Sequence, residues 1–314
     1  MFLEGSNAMS IIMAKPLNRL QSAWSNPDQR SLLVGTVAVS GLLAGVYAAN
    51  LRHFVYTWST DDNYTHGFLV PLLSLYFCWK ALDQGPILRR GGEILGSVLL
   101  ATAILARLST ILVPVGIVGD LGFILGVAGI TSLMGGRDAV RRFGFAIAFL
   151  VFMIPLPVAL YATLASPLQL MVSRMGSTVL NTIGIPVLCE GNMMTLPGGT
   201  KMFVAEACSG MRMLTGFLAL TTAVAYLSAR PFWYRLLLIL SSVPIAMTAN
   251  VLRVTMTGCI MHWFDPKYAS GAFHTVEGLL MMGFGLGLLA MECSALNTFS
   301  SSAPMARQPS PITA

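Results

Sequence analysis

Long apolar runs separated by short polar segments recur along the chain from about residue 31 to residue 292. An apolar run of about 20 residues is long enough to cross the hydrocarbon core of a bilayer as a helix. The pattern predicts about eight spans, at residues 31–51, 68–82, 94–113, 116–134, 143–161, 207–227, 233–263 and 274–291. Pro155 and Pro157 break the end of the fifth span, and Pro244 kinks the seventh and could divide it. The predicted fold is therefore an all-α polytopic membrane protein.

Residues 162–206, between the fifth and sixth spans, show a different pattern. Apolar residues recur there at helical spacing with polar residues between them: Leu164, Leu168, Met171, Met175, Val179 and Ile183. This spacing predicts an amphipathic helix that lies at the membrane interface or packs on the helix bundle. Residues 184–187 and 193–199 are predicted to form short extended pieces joined by turns.

Hydrophobic residues make up 55% of the chain and charged residues only 10%, which excludes a soluble globular domain. The net charge is +6, but the basic residues are scattered over short loops, so no nucleic-acid partner is expected. The chain then divides into a cytoplasmic N-terminal tail (1–30), a transmembrane domain that carries the candidate chemistry (31–292) and a disordered tail rich in Ser, Pro and Ala (293–314).

The Lys and Arg residues outside the predicted spans are distributed asymmetrically. Twelve lie on one side: Lys15, Arg19, Arg30, Lys80, Arg89, Arg90, Arg137, Arg141, Arg142, Arg230, Arg235 and Arg307. Four lie on the other side: Arg52, Arg174, Lys201 and Lys267. Because basic loops stay in the cytoplasm, both termini are predicted to be cytoplasmic, and residues 52–66, 162–206 and 264–274 are predicted to face outward.

Cys208 lies where the polar outward segment gives way to the sixth predicted span. At the first turn of a helix, unpaired backbone N–H groups and the helix dipole favour the thiolate form of a cysteine. Arg212 follows four residues later on the same helical face and adds a positive charge nearby. Because thiolate is the nucleophilic form, Cys208 is a candidate nucleophile supported by Arg212. A small buried cysteine beside a snorkelling arginine would give the same pattern.

Arg253 lies inside the seventh predicted span, three residues after Asn250 and about 30 Å from the cytoplasmic start of that span. An arginine within a span is costly unless it is paired or faces water, so Arg253 is a functional candidate with Asn250 in support. The alternative is an arginine that snorkels to the outer interface.

Two histidines open predicted spans on the outer side. His274 opens the eighth span, and Glu277 follows at i+3, where a carboxylate could orient an imidazole that transfers protons. His66 opens the second span within the segment Tyr64-Thr65-His66-Gly67. The alternatives are contact with lipid head groups for His274, and a capping or interfacial role for His66.

The five cysteines form no pair and no Cys/His cluster at metal-ligand spacing, so neither a metal nor a cofactor is expected. The redox state of Cys189, in the outward segment, stays open. Glycines at 126–129 and 283–287 indicate close helix contacts rather than phosphate loops. Asp120 and Arg107 lie in neighbouring antiparallel spans and are predicted to pair.

Cys208, Arg253 and His274 thus come from three spans and share the predicted outer side. This set suits acyl transfer, in which a thiolate attacks a carbonyl, an imidazole acts as acid or base and a guanidinium stabilises the oxyanion.

At these residues the chain resembles the exosortases, in order, over about residues 58–290. The segments that carry the resemblance are Ala205-Glu206-Ala207-Cys208-Ser209-Gly210-Met211-Arg212, Asn250-Val251-Leu252-Arg253, His274, Tyr64-Thr65-His66-Gly67-Phe68-Leu69-Val70-Pro71, Phe152-Met153-Ile154-Pro155-Leu156-Pro157 and Cys189-Glu190-Gly191-Asn192. Thr65 stands where the family more often has Ser. The family's catalytic Cys, Arg and His would match Cys208, Arg253 and His274.

The resemblance implies an eight-span bacterial inner-membrane enzyme, associated with exopolysaccharide, that processes proteins bearing a C-terminal PEP-CTERM-type signal. That signal is a short Pro-Glu-Pro motif, one transmembrane helix and a basic end. The resemblance is to the form without a fused C-terminal periplasmic domain, and the subtype stays open.

The hypothesis is a cysteine-type peptidase and transpeptidase in the bacterial inner membrane, with its active site facing the periplasm. Its partners would be membrane-anchored substrate proteins and the lipid bilayer. The acceptor, and the choice between transfer and hydrolysis, stay open. Two alternatives are a non-enzymatic membrane component of polysaccharide or lipid export, and a membrane acyltransferase with a lipid donor.

Overall fold

A computed structural model of the protein describes residues 24–82, 91–113, 115–204, 210–264 and 271–301, with the backbone alone at 28, 271–275 and 299–301. The chain divides into two compact units, Met1–Pro157 and Val158–Ala314. Residues 154–157, at the end of the first unit, are not helical. The break predicted from Pro155 and Pro157 is therefore confirmed, because proline removes a helical hydrogen bond and clashes with the preceding turn.

The described elements of the first unit are all helical. They are α1 (Pro27–Val46), α2 (Ala48–Thr60), a 3-10 helix (Asp62–Phe68), α3 (Leu69–Leu82), α4 (Glu93–Leu112), α5 (Gly116–Phe149) and a second 3-10 helix (Leu150–Met153). α5 consists of two helices joined at a kink, where Gly135 and Gly136 leave helical geometry. Gly136 has a φ of 67°, which glycine adopts without steric penalty. The kink lies between the predicted fourth and fifth spans.

Glycines allow close helix contacts, as predicted. A Cβ atom at Gly129 would lie 2.9 Å from Cγ of Leu100 in α4, and one at Gly126 would lie 2.6 Å from Cδ1 of Leu43 in α1. Nothing larger than glycine would fit at these separations without displacing a neighbour.

Asp120 and Arg107, which were predicted to pair, form their hydrogen bonds with other groups of the first unit. Asp120 is buried, and its Oδ1 accepts a hydrogen bond from Nδ2 of Asn50 at 2.8 Å. Arg107 donates from Nη1 to Oγ1 of Thr110 at 2.9 Å. The two charges still interact electrostatically. The amide and hydroxyl partners satisfy the hydrogen bonds that a direct ion pair would otherwise supply.

The second unit contains α6 (Val158–Thr182), β1 (Leu188–Glu190), β2 (Met193–Thr195), β3 (Lys201–Phe203), α7 (Gly210–Leu227), α8 (Phe232–Trp263) and α9 (Gly271–Ser301). The strands form an antiparallel sheet in the order β1-β2-β3. Met194 and Met202 are opposite each other in the sheet, and their buried side chains pack with Val254 of α8. β2 lies within the predicted piece 193–199, whereas residues 184–187 form no strand.

α6 is the helix predicted at the interface or on the bundle, and it packs through an unexpected face. Of the predicted apolar stripe, Leu168 is half-buried and the others are exposed: Leu164, Met171, Met175, Val179 and Ile183. The buried face lies to one side of this stripe and consists mostly of small residues, and a Cβ atom at Gly176 would lie 2.9 Å from Cγ1 of Val254 in α8. Small residues let two helices approach, so α6 packs on α8 through this face and leaves most of the stripe exposed.

The extents of α8 and α9 differ from two predictions made from the sequence. α8 runs as one helix through Pro244, so that proline does not divide it. α9 continues to Ser301, so residues 293–301 are helical rather than the start of a disordered tail. Cys293 and Leu296 pack against the core that includes Leu238 of α8, and this burial extends the helix beyond the predicted end. Residues 302–314 lie outside the described residues.

The described residues include six helices long and apolar enough to cross a membrane: Gln29–Val46, Glu93–Leu112, Gly116–Met153, Gly210–Leu227, Phe232–Trp263 and Val276–Thr298. The protein is therefore an all-α polytopic membrane protein. Gly116–Met153 contains the kink at residues 135–136 and covers most of two predicted spans. α3, the counterpart of the second predicted span, has 14 residues and is about 21 Å long at 1.5 Å per residue. The total of eight spans stays a prediction.

Candidate functional site

Three buried polar residues lie along one face of α8. Asn250, Arg253 and Thr257 are 1%, 4% and 1% exposed, and their i, i+3, i+7 spacing puts them on the same side of the helix. Arg253 is 21 residues after Phe232, which is about 32 Å along the helix. Its burial shows that the guanidinium points into the second unit rather than outward to an interface. Snorkelling, the alternative reading of this residue, is therefore wrong for Arg253.

Glu277 of α9 lies opposite this face. It is 4% exposed, and its Oε1 accepts a hydrogen bond from the Thr257 hydroxyl at 2.7 Å. Arg253 interacts electrostatically with the same carboxyl group. A Cβ atom at Gly278 would lie 3.7 Å from Nη2 of Arg253, so the guanidinium faces α9 at this residue. The structure thus places Arg253 and Glu277 in one buried polar cluster.

The start of α7 reaches the same face of α8. A Cβ atom at Gly210 would lie 2.8 Å from Nδ2 of Asn250, so Gly210 leaves the space that the Asn250 amide occupies. Arg212, two residues further along α7, is half-buried. Residues 205–209, which include Cys208, lie outside the described residues. The nucleophile and its predicted position in the first turn of a helix therefore stay predictions.

His274 is described by its backbone alone, in the first turn of α9 and three residues before Glu277. Its predicted proton-transfer role, and the role of Glu277 in orienting it, stay predictions. The partner that the structure gives to Glu277 is Thr257 of α8.

His66 belongs to the first unit, where it joins the two 3-10 helices. Its imidazole is half-buried and hydrogen-bonds with the backbone of Phe152 and Asn63. Burial lowers the pKa of His66 below its usual value, and the two backbone hydrogen bonds partly offset that effect.

Tyr64 of the first 3-10 helix and Trp58 of α2 make similar contacts with residues 153–156. The Tyr64 hydroxyl accepts a hydrogen bond from the backbone N–H of Leu156 at 3.1 Å. Nε1 of Trp58 donates to the carbonyl oxygen of Met153 at 2.9 Å. The segment containing Tyr64 and His66 therefore holds the segment at residues 152–157 in place, and His66 takes part in that contact.

Thr257 is a site residue that sequence reasoning missed. The available signal was the polar spacing itself, because Asn250, Arg253 and Thr257 repeat at helical intervals within an apolar run. Among the described residues, no group of three or more His, Cys, Asp or Glu side chains could hold a metal ion.

Comparison with known proteins identifies the family. Residues 58–291, about three quarters of the chain, match the family model described as transmembrane exosortase. The match includes the segment around His66, residues 162–206, Cys208 and the whole buried cluster of α8 and α9. No curated protein and no solved structure matches the chain.

Proposed function

The chain belongs to the transmembrane exosortase family of membrane protein-sorting transpeptidases, and from this premise we propose that it cleaves C-terminal PEP-CTERM-type sorting signals with Cys208 as nucleophile. Members of the family act on secreted proteins with C-terminal signals, which fits a protein whose own helices are embedded in the membrane. The proposed location is the bacterial inner membrane, with the site facing the periplasm.

The proposed reaction is acyl transfer through a thioester. The substrate's transmembrane helix docks against the helix bundle, and the Cys208 thiolate attacks the scissile carbonyl carbon. The S–C bond forms, the C–N bond breaks, and His274 donates a proton to the departing amine, which carries away the C-terminal helix. An acceptor amine or water then attacks the thioester and gives its proton to the neutral His274, the S–C bond breaks, and the thiolate and the protonated His274 are both regenerated.

The observation that carries this proposal is the buried Arg253 in the cluster with Asn250, Thr257 and Glu277. A buried cation within apolar helices is costly and is a functional site by default. Its planar group of donors suits an oxyanion, which appears on the carbonyl oxygen as the thiolate attacks.

The sequence keeps the proposed nucleophile near this cluster. Cys208 is two residues before Gly210, and Gly210 contacts Asn250 of α8. Consecutive Cα atoms are about 3.8 Å apart, so a residue two positions away lies within about 7.6 Å.

The test is co-expression with a secreted protein that ends in Pro-Glu-Pro, a transmembrane helix and a basic segment. We expect Cys208→Ala to leave this substrate at full length while the enzyme still accumulates in the membrane. Cys208→Ser is expected to fail nearly as badly, since a hydroxyl does not ionise readily.

Cys189→Ala is the matched control, because Cys189 is a half-buried cysteine in β1 whose Sγ contacts the carbonyl oxygen of Gly191 at 3.6 Å. It should process the substrate like the parent protein. Unimpaired processing by Cys208→Ala would exclude the cysteine mechanism and favour one of the alternatives, an export component or an acyltransferase with another nucleophile.

A further inference from the structure

We infer that Glu277 is a positioning residue for Arg253 and that Thr257 holds Glu277 in place. The inference rests on the proposed function, in which Arg253 stabilises the oxyanion. It assigns Glu277 a role toward α8, in addition to any contact with His274 on its own helix.

The geometry supports this role from two directions. Glu277 is buried, and its Oε1 is 2.7 Å from the hydroxyl of Thr257, which is itself buried. The next residue of α9, Gly278, faces the Arg253 guanidinium, since a Cβ atom there would lie 3.7 Å from Nη2. Two consecutive residues of α9 therefore lie beside the turn of α8 that carries Arg253 and Thr257.

The Thr257 hydroxyl ties the carboxyl group to that turn. The carbonyl oxygen of Arg253 lies 3.0 Å from Oγ1 of Thr257, so the same hydroxyl has two acceptors within reach. A hydroxyl has one proton to donate, and it can also accept. The shorter contact is the one to Glu277, so Thr257 holds that carboxyl group beside the turn that begins at Arg253, while the Arg253 side chain interacts electrostatically with Glu277.

This arrangement has a chemical consequence. An arginine side chain has many rotamers, and it stabilises a transition state only when its donors are fixed where charge develops. A carboxyl group anchored from the neighbouring helix restricts the guanidinium to one position and offsets its charge. Loss of that anchor should slow the chemical step more than it weakens substrate binding.

The first experiment measures processing by the full-length protein in lipid nanodiscs, at saturating and limiting levels of the substrate described above. Glu277→Gln is expected to lower the saturating rate by about 10- to 100-fold while the half-saturating substrate level changes little. Thr257→Val, which keeps the shape but removes the hydroxyl, is expected to lower that rate several-fold. Thr257→Ser restores the hydroxyl and should recover much of the loss.

Thr255→Val is the matched control. Thr255 is also buried in α8 and also donates to a carbonyl oxygen four residues earlier, that of Val251 at 2.9 Å. It should keep the parent rate. A parent-like saturating rate for Glu277→Gln, or an equal loss in Thr255→Val and Thr257→Val, would overturn the inference.

A second experiment does not depend on activity and compares the thermal unfolding of Arg253→Gln, Glu277→Gln and the double variant. Removing one member of a buried charged pair is more damaging than removing both. We therefore expect the double variant to unfold at or above the temperature of the less stable single variant. Additive losses would overturn the inference even if processing depends on Cys208. Conversely, a coupled pair without Cys208-dependent processing would reject the proposed function alone.

Discussion

At the scale of single residues, Arg212 near the start of α7 and Arg253 on α8 have different surroundings. Arg253 is 4% exposed, faces α9 at Gly278 and interacts electrostatically with Glu277. Arg212 is half-buried, four positions from Cys208 in the sequence. In the proposed mechanism Arg253 acts through the geometry of its donors, whereas Arg212 acts through its charge, which favours the thiolate.

Lysine substitutions separate these two roles. Arg253→Lys keeps the charge but loses the planar fork, so we expect it to lose about 100-fold or more in processing rate. Arg212→Lys keeps the charge that stabilises the thiolate and should retain a substantial part of the rate. The measurement is substrate processing normalised to the amount of inserted enzyme. Equal losses, or the opposite order, would show that the roles are assigned wrongly.

At the scale of elements, His66 lies at the contact between the two 3-10 helices of the first unit, where burial favours the neutral imidazole more than the backbone hydrogen bonds favour the protonated one. Its imidazole is half-buried between the backbone of Phe152 and Asn63, and burial lowers its pKa. The unfolded chain has the ordinary histidine pKa of about 6.5 and therefore binds more protons than the folded chain below that pH. Folded-state stability from this group is complete above about pH 6.5 and is lost as the pH falls toward the lowered value.

The corresponding prediction concerns thermal unfolding of the full-length protein in detergent at pH 7.5 and pH 5.5. We expect acidification to lower the unfolding temperature of the parent protein more than that of His66→Gln, which has no proton to gain. His53→Gln, a change at an exposed histidine of α2, should behave like the parent. An identical pH dependence in the parent and His66→Gln would show that this contact does not sense pH.

At the scale of the whole molecule, the orientation predicted from the twelve and four basic residues decides which side carries the chemistry. Reporter fusions near residues 60, 190 and 268 should be periplasmic, and those near 88, 138 and 232 should be cytoplasmic. Residues 88 and 268 lie outside the described residues. Because α8 is continuous from Phe232 to Trp263, one crossing is expected there. A cytoplasmic fusion at 190 would place Cys208 on the wrong side for a periplasmic substrate.

Four features could be predicted from the sequence: the membrane class, most span positions, the break at residues 154–157, and Arg253 as a candidate functional residue. Each depends on a local property: the length of an apolar run, a proline, or a charge where charges are costly. The match over residues 58–291 confirms the family that the ordered motifs indicated.

Three features were decided by the tertiary structure alone. They are the buried face of α6, the extension of α9 to Ser301, and the hydrogen bond between Thr257 and Glu277. In water, the apolar face of a helix is the packed face, and periodicity identifies it. In a membrane, lipid is as apolar as the protein core, so an apolar stripe can face either one. α6 packs on Val254 of α8 through a face that includes Gly176, and this packing leaves most of the stripe exposed. Contacts between helices, such as Glu277 with Thr257, depend on how each helix is rotated about its axis, and hydrophobicity along one chain does not determine that rotation.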